Sequence, residues 1–416
     1  MKHGFLNIYY GWWIVGASFL ISVVIAGGFI YGFTTLVDPI AFELGWSYAQ
    51  ISIASSLRGL EIGLLAPLVG ILTDRYGPKR IIIVGAIIGT TGLVILSRVT
   101  TLGMFYTAFF LIAIGTSGCT STVMMTTAAN WFKKNIGLAA GIVSCGMGFG
   151  GFMIPLLVKL IDIYDWRFTL IILAAIIIFV VLPLSLVIRH KPEQYGYLPD
   201  GETRLATEVN NAPIRVETTD PDFSIRNILK NSIFWKIALA YLLHLIVMSA
   251  VITHVMPYLG SIGISRSNAA IVATAVPVTS IVGRIGIGWL GDMVNKKLVA
   301  AGTFVVVSCG LLCFAFANNE EISLIILFVI FFGISYGGGL ILRTSLIREY
   351  FFGSNFGTVY GFIMGVNILG AILGSPLAGW VYDNWGSYKS IWLIFSALPL
   401  ISLALIMSIK KAKNVT

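Results

Sequence analysis

Twelve apolar runs, each long enough to cross a lipid bilayer, constrain this sequence more than any other feature. They fall at roughly 12–35, 46–72, 81–98, 103–128, 137–158, 166–189, 232–257, 268–291, 298–317, 322–343, 355–380 and 388–409. A helical span needs about 20 mostly apolar residues. Inside hydrocarbon every backbone N–H and C=O must find a partner within the protein, so a continuous apolar run of this length reads as a helix. Outer-membrane barrels instead show short alternating segments, and those are absent. Composition agrees: 57% of the 416 residues are hydrophobic and 11% are charged, against about 25% charged in an ordinary soluble domain. Too few charges remain to cover a water-facing surface. An ordinary soluble enzyme, a disordered chain and a disulfide-stapled secreted domain are excluded. The first run is too long for a signal-peptide core and lacks a convincing cleavage site, so it counts as span 1. The four cysteines, Cys119, Cys145, Cys309 and Cys313, all lie in predicted spans without disulfide or metal-ligand spacing. No metal and no cofactor are expected.

The net charge of +9 gains meaning once it is sorted by loop. With the N-terminus placed in the cytoplasm, 20 of the 27 Lys and Arg residues fall on the cytoplasmic side, including Arg343 and Arg348 in the loop after span 10. Five fall outside, and Arg58 and Arg284 lie within spans. The positive-inside rule therefore puts both termini in the cytoplasm. No basic tail suggests nucleic-acid binding. A plasma membrane, of the bacterial inner-membrane kind, is the expected location.

Between Arg189 and Ser232 the composition turns polar, with Pro192, Pro199, Pro213 and Pro221. This stretch reads as a cytoplasmic linker. It divides the chain into an N-terminal six-helix bundle (1–189), a linker (190–231) and a C-terminal six-helix bundle (232–416). The halves repeat one another. Gly70 and Asp74 after span 2 recur as Gly288 and Asp292 after span 8, 218 positions on. Trp131-Phe132, Gly137 and Gly141 recur as Phe351-Phe352, Gly357 and Gly361, 220 positions on. Two landmarks with nearly one offset indicate an internal repeat, a common plan in secondary transporters.

The segment Gly70-x3-Asp74-Arg75-x-Gly77-Pro78-Lys79-Arg80 resembles the span 2–3 loop signature of the major facilitator superfamily. The resemblance covers essentially the whole chain. It implies an all-α polytopic membrane protein, twelve transmembrane helices in two pseudo-symmetric six-helix bundles. Gly70, Asp74, Arg75, Gly77, Lys79, Arg80 and Asp292 would form a cytoplasmic gate. A narrower resemblance is to the monocarboxylate transporters and the related oxalate–formate exchangers. Three segments carry it: Asn130-Trp131-Phe132-Lys133-Lys134-x2-Gly137-Leu138-Ala139-x-Gly141, Tyr10-Gly11-Trp12-Trp13, and Gly283-Arg284, eight residues before Asp292. The last matches that family's substrate-binding arginine.

An ionised group at membrane depth is costly and ordinarily faces a cavity or a partner. Eight residues at about 1.5 Å each put Arg284 about 12 Å in from Asp292, near the midplane where such transporters bind substrate. Its planar fork matches a carboxylate in two-point fashion and cannot shed its charge. A carboxylate site is one reading; a structural arginine paired with carbonyls or with Glu61 is the other. The lysine that oxalate exchangers carry in span 11 is replaced by Ile363, which favours a monocarboxylate over a dicarboxylate. The aspartate that animal carriers place one turn before their arginine is Ser280, and span 1 has no lysine, so the animal route of proton coupling is not carried over.

Four further residues are candidates for proton coupling. His244 and His254 lie in span 7, and histidine titrates near neutral pH. Arg58 and Glu61 sit three apart on span 2, close enough to pair within the helix. Glu61 is the one acid inside a predicted span. By the resemblance, Tyr31 and Tyr360 match aromatic cage positions of the exchanger, and Ser121 stands where the exchanger has a tyrosine. Tyr336 and Asn367 complete the candidate substrate cavity. Each of these could equally be a packing residue.

The chain is therefore read as a carrier of a small monocarboxylate, lactate- or pyruvate-like, coupled to protons and working as a monomer in the bilayer. An organic anion exchanger of the oxalate–formate type is the alternative. An enzyme would need catalytic groups clustered at one depth, and none stands out.

Overall fold

A computed structural model describes residues 9–60, 65–119, 121–132, 135–201, 229–319, 321–351 and 356–409. Among these residues the regular structure is helical and no strand occurs. The helices are α1 (Tyr10–Ile25), α2 (Phe33–Leu44), α3 (Tyr48–Leu60), α4 (Ala66–Tyr76), α5 (Pro78–Leu96), α6 (Leu102–Ser117), α7 (Ser121–Trp131), α8 (Ile136–Phe149), α9 (Met153–Tyr164), α10 (Trp166–Val187), α11 (Ser232–Ser261), α12 (Arg266–Met293), α13 (Lys296–Phe316), α14 (Ile322–Tyr350), α15 (Phe356–Trp385) and α16 (Lys389–Met407). Ten stretches of the described residues are long and apolar enough to cross a membrane, and α1, a π-helical turn at Ala26–Tyr31 and α2 together form the first. The pairs α3–α4 and α6–α7 occupy the second and fourth predicted spans. The fold is the twelve-helix arrangement expected from the sequence.

Helix starts follow local chemistry. Asn231, Ser265 and Asn295 accept from the first-turn N–H groups of α11, α12 and α13, which supplies partners for donors the helix leaves open. Between α4 and α5, Gly77 adopts φ +82°, a conformation that glycine takes without strain. Its N–H closes α4 on the Thr73 carbonyl at 2.9 Å, and Pro78 opens α5 with its φ already set. The Gly-Pro step of the loop signature is thus a tight helix-to-helix turn.

Two helices run further than the apolar pattern suggests. The first span does not stop near residue 35 but continues through Asp38 and Pro39 to Leu44. The tenth does not stop at residue 343 but continues to Tyr350. Arg343 and Arg348 are therefore helical residues, not loop residues.

The chain forms two compact units. The first contains residues 1–30, 64–150 and 167–217, and the second contains 31–63, 151–166 and 218–416. The partition follows packing rather than chain order. The chain passes from one unit to the other inside the π-helical turn that ends at Tyr31, and again at Gly150–Gly151, inside a 3₁₀ turn.

In the first unit, two of the segments singled out in the sequence meet. The Tyr9 hydroxyl donates to the Trp131 carbonyl at 3.0 Å, and the rings of Trp12 and Phe132 lie 4.8 Å apart. A methyl group on Gly11 would come within 2.9 Å of the Phe132 ring, so glycine is required for this approach. The Arg189 guanidinium covers the faces of Tyr10 and Tyr195 at 4.0 and 4.4 Å.

In the second unit, glycines bring helix backbones together. Gly333 and Gly337 on α14 face α12: a methyl at Gly337 would sit 1.9 Å from the Ser280 carbonyl oxygen, and one at Gly333 would sit 3.0 Å from that of Val276. Gly370 and Gly374 on α15 face α11 in the same way, against the carbonyls of Leu242 and Ile246. Both pairs have the four-residue spacing that lets membrane helices pack closely. The core beside them holds Phe234, Tyr241, Phe304, Leu346, Val359 and Ile363.

Candidate functional site

Arg284 lies on α12, nine residues from its Met293 end, or about 13 Å along the axis. Its side chain is 8% exposed. Its helix is held against α14 by the Gly337 contact, since a methyl there would also approach the Arg284 backbone nitrogen to 2.9 Å. One turn earlier, Ser280 is fully buried, and its hydroxyl donates to the Pro277 carbonyl at 2.6 Å. That position offers no acid to the arginine. Ile363, where an exchanger would carry a lysine, is also fully buried.

The structure brings Tyr31 and Tyr336 together, with their hydroxyls 3.4 Å apart. Tyr31 ends the π-helical turn, an irregularity that recurs at functional positions. It also borders a small gap next to Pro277 on α12, with Thr34, Val251 and Val276. Tyr336 stacks on Phe332 at an interplanar angle of 14°. Tyr360 is half-buried against the core that contains Tyr241 and Ile363. Asn367 is 1% exposed, and neither of its amide atoms has a hydrogen-bond partner among the described residues. Such a group is rare in a protein interior and marks a position where an unseen polar partner belongs. Glu61 lies outside the described residues, and so do the side chains of Arg58, Asp74, Ser121 and Asp292. Of the loop signature, Gly77 makes the turn, while Arg75, Lys79 and Arg80 are exposed.

The two histidines of α11 differ. His254 is fully buried with both ring nitrogens engaged: Nδ1 with the Tyr388 hydroxyl, and Nε2 with the Ser375 carbonyl and the Ser52 hydroxyl, each at 2.9 Å. A carbonyl can only accept, so Nε2 carries the proton and Nδ1 accepts from Tyr388. This arrangement suits a neutral histidine that ties α3, α11 and α15 together. His244 is 3% exposed, and its Nδ1 has no hydrogen-bond partner. Its ring packs edge-on against Tyr241 and Phe304.

Sequence reasoning missed four features. Arg343, counted as a loop residue, is a second buried arginine at 8% exposure. Glu61 is not the only acid in a span, because Asp38 lies in α2 and accepts from the Tyr48 hydroxyl at 2.9 Å. At that end of the second unit, Asp383 accepts from the first two N–H groups of α3, those of Tyr48 and Ala49, at 2.9 and 2.8 Å. Arg266 pairs with Asp162 at 3.1 Å. The dipeptide Asp38-Pro39 was the available signal: a charged residue before a proline still inside an apolar context.

Comparison with known proteins fixes the class. The chain belongs to the Major Facilitator Superfamily, whose profile matches residues 18–265 and 250–415; it is a transporter rather than an enzyme. Monocarboxylate transporter 12 of Xenopus laevis is 24% identical over 380 residues, covering 88% of this chain and 81% of the relative. Monocarboxylate transporter 13 of Bos taurus is 23% identical, covering 94% and 87%. A fungal relative, the agnestins efflux protein of Paecilomyces divaricatus, is 24% identical, covering 91% and 84%. Among solved structures, the nucleoside transporter NupG has a TM-score of 0.73 at 16% identity, covering 97% of this chain and all of that one. A bacterial homologue of the human lysosomal transporter Spinster has a TM-score of 0.68 at 18% identity, covering 97% and 95%. These likenesses in structure establish the fold. The chain is thus a multi-pass membrane transporter whose relatives include proteins of the monocarboxylate transporter branch.

Proposed function

We propose that this transporter carries a small monocarboxylate, lactate- or pyruvate-like, together with a proton, by alternating access. The observation that carries the reading is Arg284, a permanent cation 8% exposed inside an apolar helix. A guanidinium there matches one carboxylate. Tyr31, Tyr336, Tyr360, Asn367 and Ser121 measure the rest of the substrate. The names of the relatives support the same anion class. Symport relieves the anion of the inside-negative potential, worth about 2.3 kcal/mol per charge per 100 mV. Of the four candidates, Glu61, Arg58 and His244 are the residues from which the proton site is drawn, His254 being fully engaged in tying helices together.

The bodies that move are the six-span halves, 1–189 and 232–416, joined by 190–231. Gly70, Asp74, Arg75, Gly77, Lys79, Arg80 and Asp292 latch the cytoplasmic side. The protein acts as a monomer in a plasma membrane with both termini in the cytoplasm.

Radiolabelled lactate uptake into proteoliposomes tests the reading. Uptake stimulated by an inward proton gradient supports symport. Uptake that appears only after preloading with a second organic anion replaces symport with exchange. Absence of uptake for lactate, pyruvate and formate alike rejects the monocarboxylate.

A further inference from the structure

At one end of the second unit, α2, the end of α11 and the start of α12 enclose a cavity of about 260 Å³. This is the end that the proposed topology puts outside. A single water needs only about 10–15 Å³ of such space, so the cavity admits a small organic ion. Phe42, Met256, Gly260 and Ile264 belong to its apolar lining, and Asp38 and Arg266 are the charged residues on its wall. The Met256 N–H donates to the Thr34 hydroxyl at 3.3 Å, which fixes α11 against α2 beside it.

Contacts with the protein hold both charges in place. Arg266 donates from Nη2 to the Thr35 carbonyl at 2.9 Å, and its Nη1 pairs with Asp162 at 3.1 Å. A guanidinium has further N–H donors beyond these two. Thr35 lies three residues before Asp38, on the same face of α2, so the guanidinium is anchored about one turn from the carboxylate. Asp38 Oδ1 accepts from the Tyr48 hydroxyl at 2.9 Å. Tyr48 is itself fixed: its backbone N–H donates to Asp383, and its ring packs edge-on against Tyr382 at 4.8 Å. Asp38 Oδ2 faces Gly260, 4.0 Å from where a methyl on that glycine would lie, and Gly260 is part of the cavity wall. One carboxylate oxygen is thus tied to Tyr48, and the other is turned to the cavity.

A cavity that offers a guanidinium and a carboxylate oxygen selects its occupant. An anion with a carboxylate alone satisfies Arg266 and is repelled by Asp38. A carboxylate with a hydrogen-bond donor on the next carbon satisfies both. We infer that this cavity is a second, outer site that takes a 2-hydroxycarboxylate, with Arg266 on the carboxylate and Asp38 Oδ2 accepting from the 2-hydroxyl. The inference rests on the monocarboxylate reading above. A 2-oxo acid has no donor at that carbon, so the outer site favours lactate-like over pyruvate-like anions, whereas Arg284 serves both. A site built to hydrogen-bond a hydroxyl discriminates strongly against the analogue that lacks it.

The test uses the full-length protein in detergent and titration calorimetry with lactate and propionate, which differ by the hydroxyl alone. In R284Q, which lacks the central carboxylate contact, lactate is expected to bind still, about tenfold more tightly than propionate, the difference made by one hydrogen bond to a charged group. Adding D38A removes that preference. Adding D38N keeps part of it, because an amide oxygen still accepts but carries no charge. Equal losses for both anions in D38A would mean that Asp38 only shapes the cavity, and would overturn the inference. Lactate binding to wild type but not to folded R284Q overturns this inference alone and leaves the monocarboxylate reading standing. Folded wild type that binds neither anion overturns that reading and this site with it. Alanine binding more tightly than lactate to R284Q would mark an amino-acid site and overturn the hydroxy-acid assignment. A second measurement does not depend on R284Q. In G260C the introduced thiol stands beside Asp38 Oδ2, and lactate is expected to slow its alkylation severalfold more than propionate does, read on that peptide by mass spectrometry. An alkylation rate that lactate leaves unchanged rejects the site.

Discussion

Arg266 donates from Nη2 to the Thr35 carbonyl at 2.9 Å. That carbonyl lies four residues before Pro39, which has no N–H to give it. The arginine thus supplies the hydrogen bond that proline removes, and its other terminal nitrogen pairs with Asp162 on α9. This is how α2 carries a proline and an aspartate without ending.

Removing this donor exposes the defect. Arg266→Gln is expected to destabilise the protein by about 1–2 kcal/mol, mostly through the carbonyl contact, since the partly exposed ion pair contributes little. A fall of a few degrees in apparent melting temperature, larger than that of Asp162→Asn, is the expected result. Equal falls in the two variants would assign the effect to the ion pair instead.

The glycine contacts predict opposite outcomes for two similar substitutions. Gly337→Ala places a methyl against the Ser280 carbonyl and must separate α12 from α14; folded yield should drop sharply. Gly361→Ala meets open space and gains helix propensity of up to about 1 kcal/mol, so its folded yield should match or exceed wild type. Size-exclusion profiles of the two variants decide the matter, and comparable yields would contradict the packing.

His254 is expected to matter for stability rather than for coupling. His254→Ala strips partners from Ser375, Tyr388 and Ser52 at once, an expected loss of about 2–4 kcal/mol. In the fraction that folds, the number of protons carried per lactate should equal that of wild type. A changed ratio would make His254 part of the proton route.

Asp383 caps a helix with a carboxylate, a favourable site for negative charge. Asp383→Asn should keep part of this stabilisation and Asp383→Ala should lose about 1 kcal/mol. The order of the melting temperatures, wild type above Asn above Ala, is the check.

Much of this was legible in the sequence because membranes reduce the problem to run length. The twelve-helix arrangement follows from counting residues along apolar runs. The Tyr10-Gly11 and Trp131-Phe132 landmarks were visible, but their meeting was not, because it depends on tertiary packing. The ends of the first and tenth spans were misread for one reason. Asp38-Pro39 and Arg343 look like terminators when only local polarity is weighed, yet each lies inside its helix: Arg266 supplies a donor to the Thr35 carbonyl in the first, and Arg343 is buried by packing in the second. Gly333 and Gly337 were overlooked beside the more numerous glycines of spans 5 and 11, although their spacing alone announces a close helix contact.

The central claim is that Arg284 holds the substrate carboxylate. The most direct measurement is lactate uptake by proteoliposomes containing wild type, Arg284→Lys or Arg284→Gln, normalised to folded protein. Loss of a two-point charged contact at membrane depth should reduce uptake by Arg284→Gln at least tenfold. Arg284→Lys should recover only a part, because an ammonium keeps the charge but not the fork. Uptake by folded Arg284→Gln at the wild-type rate would contradict the account.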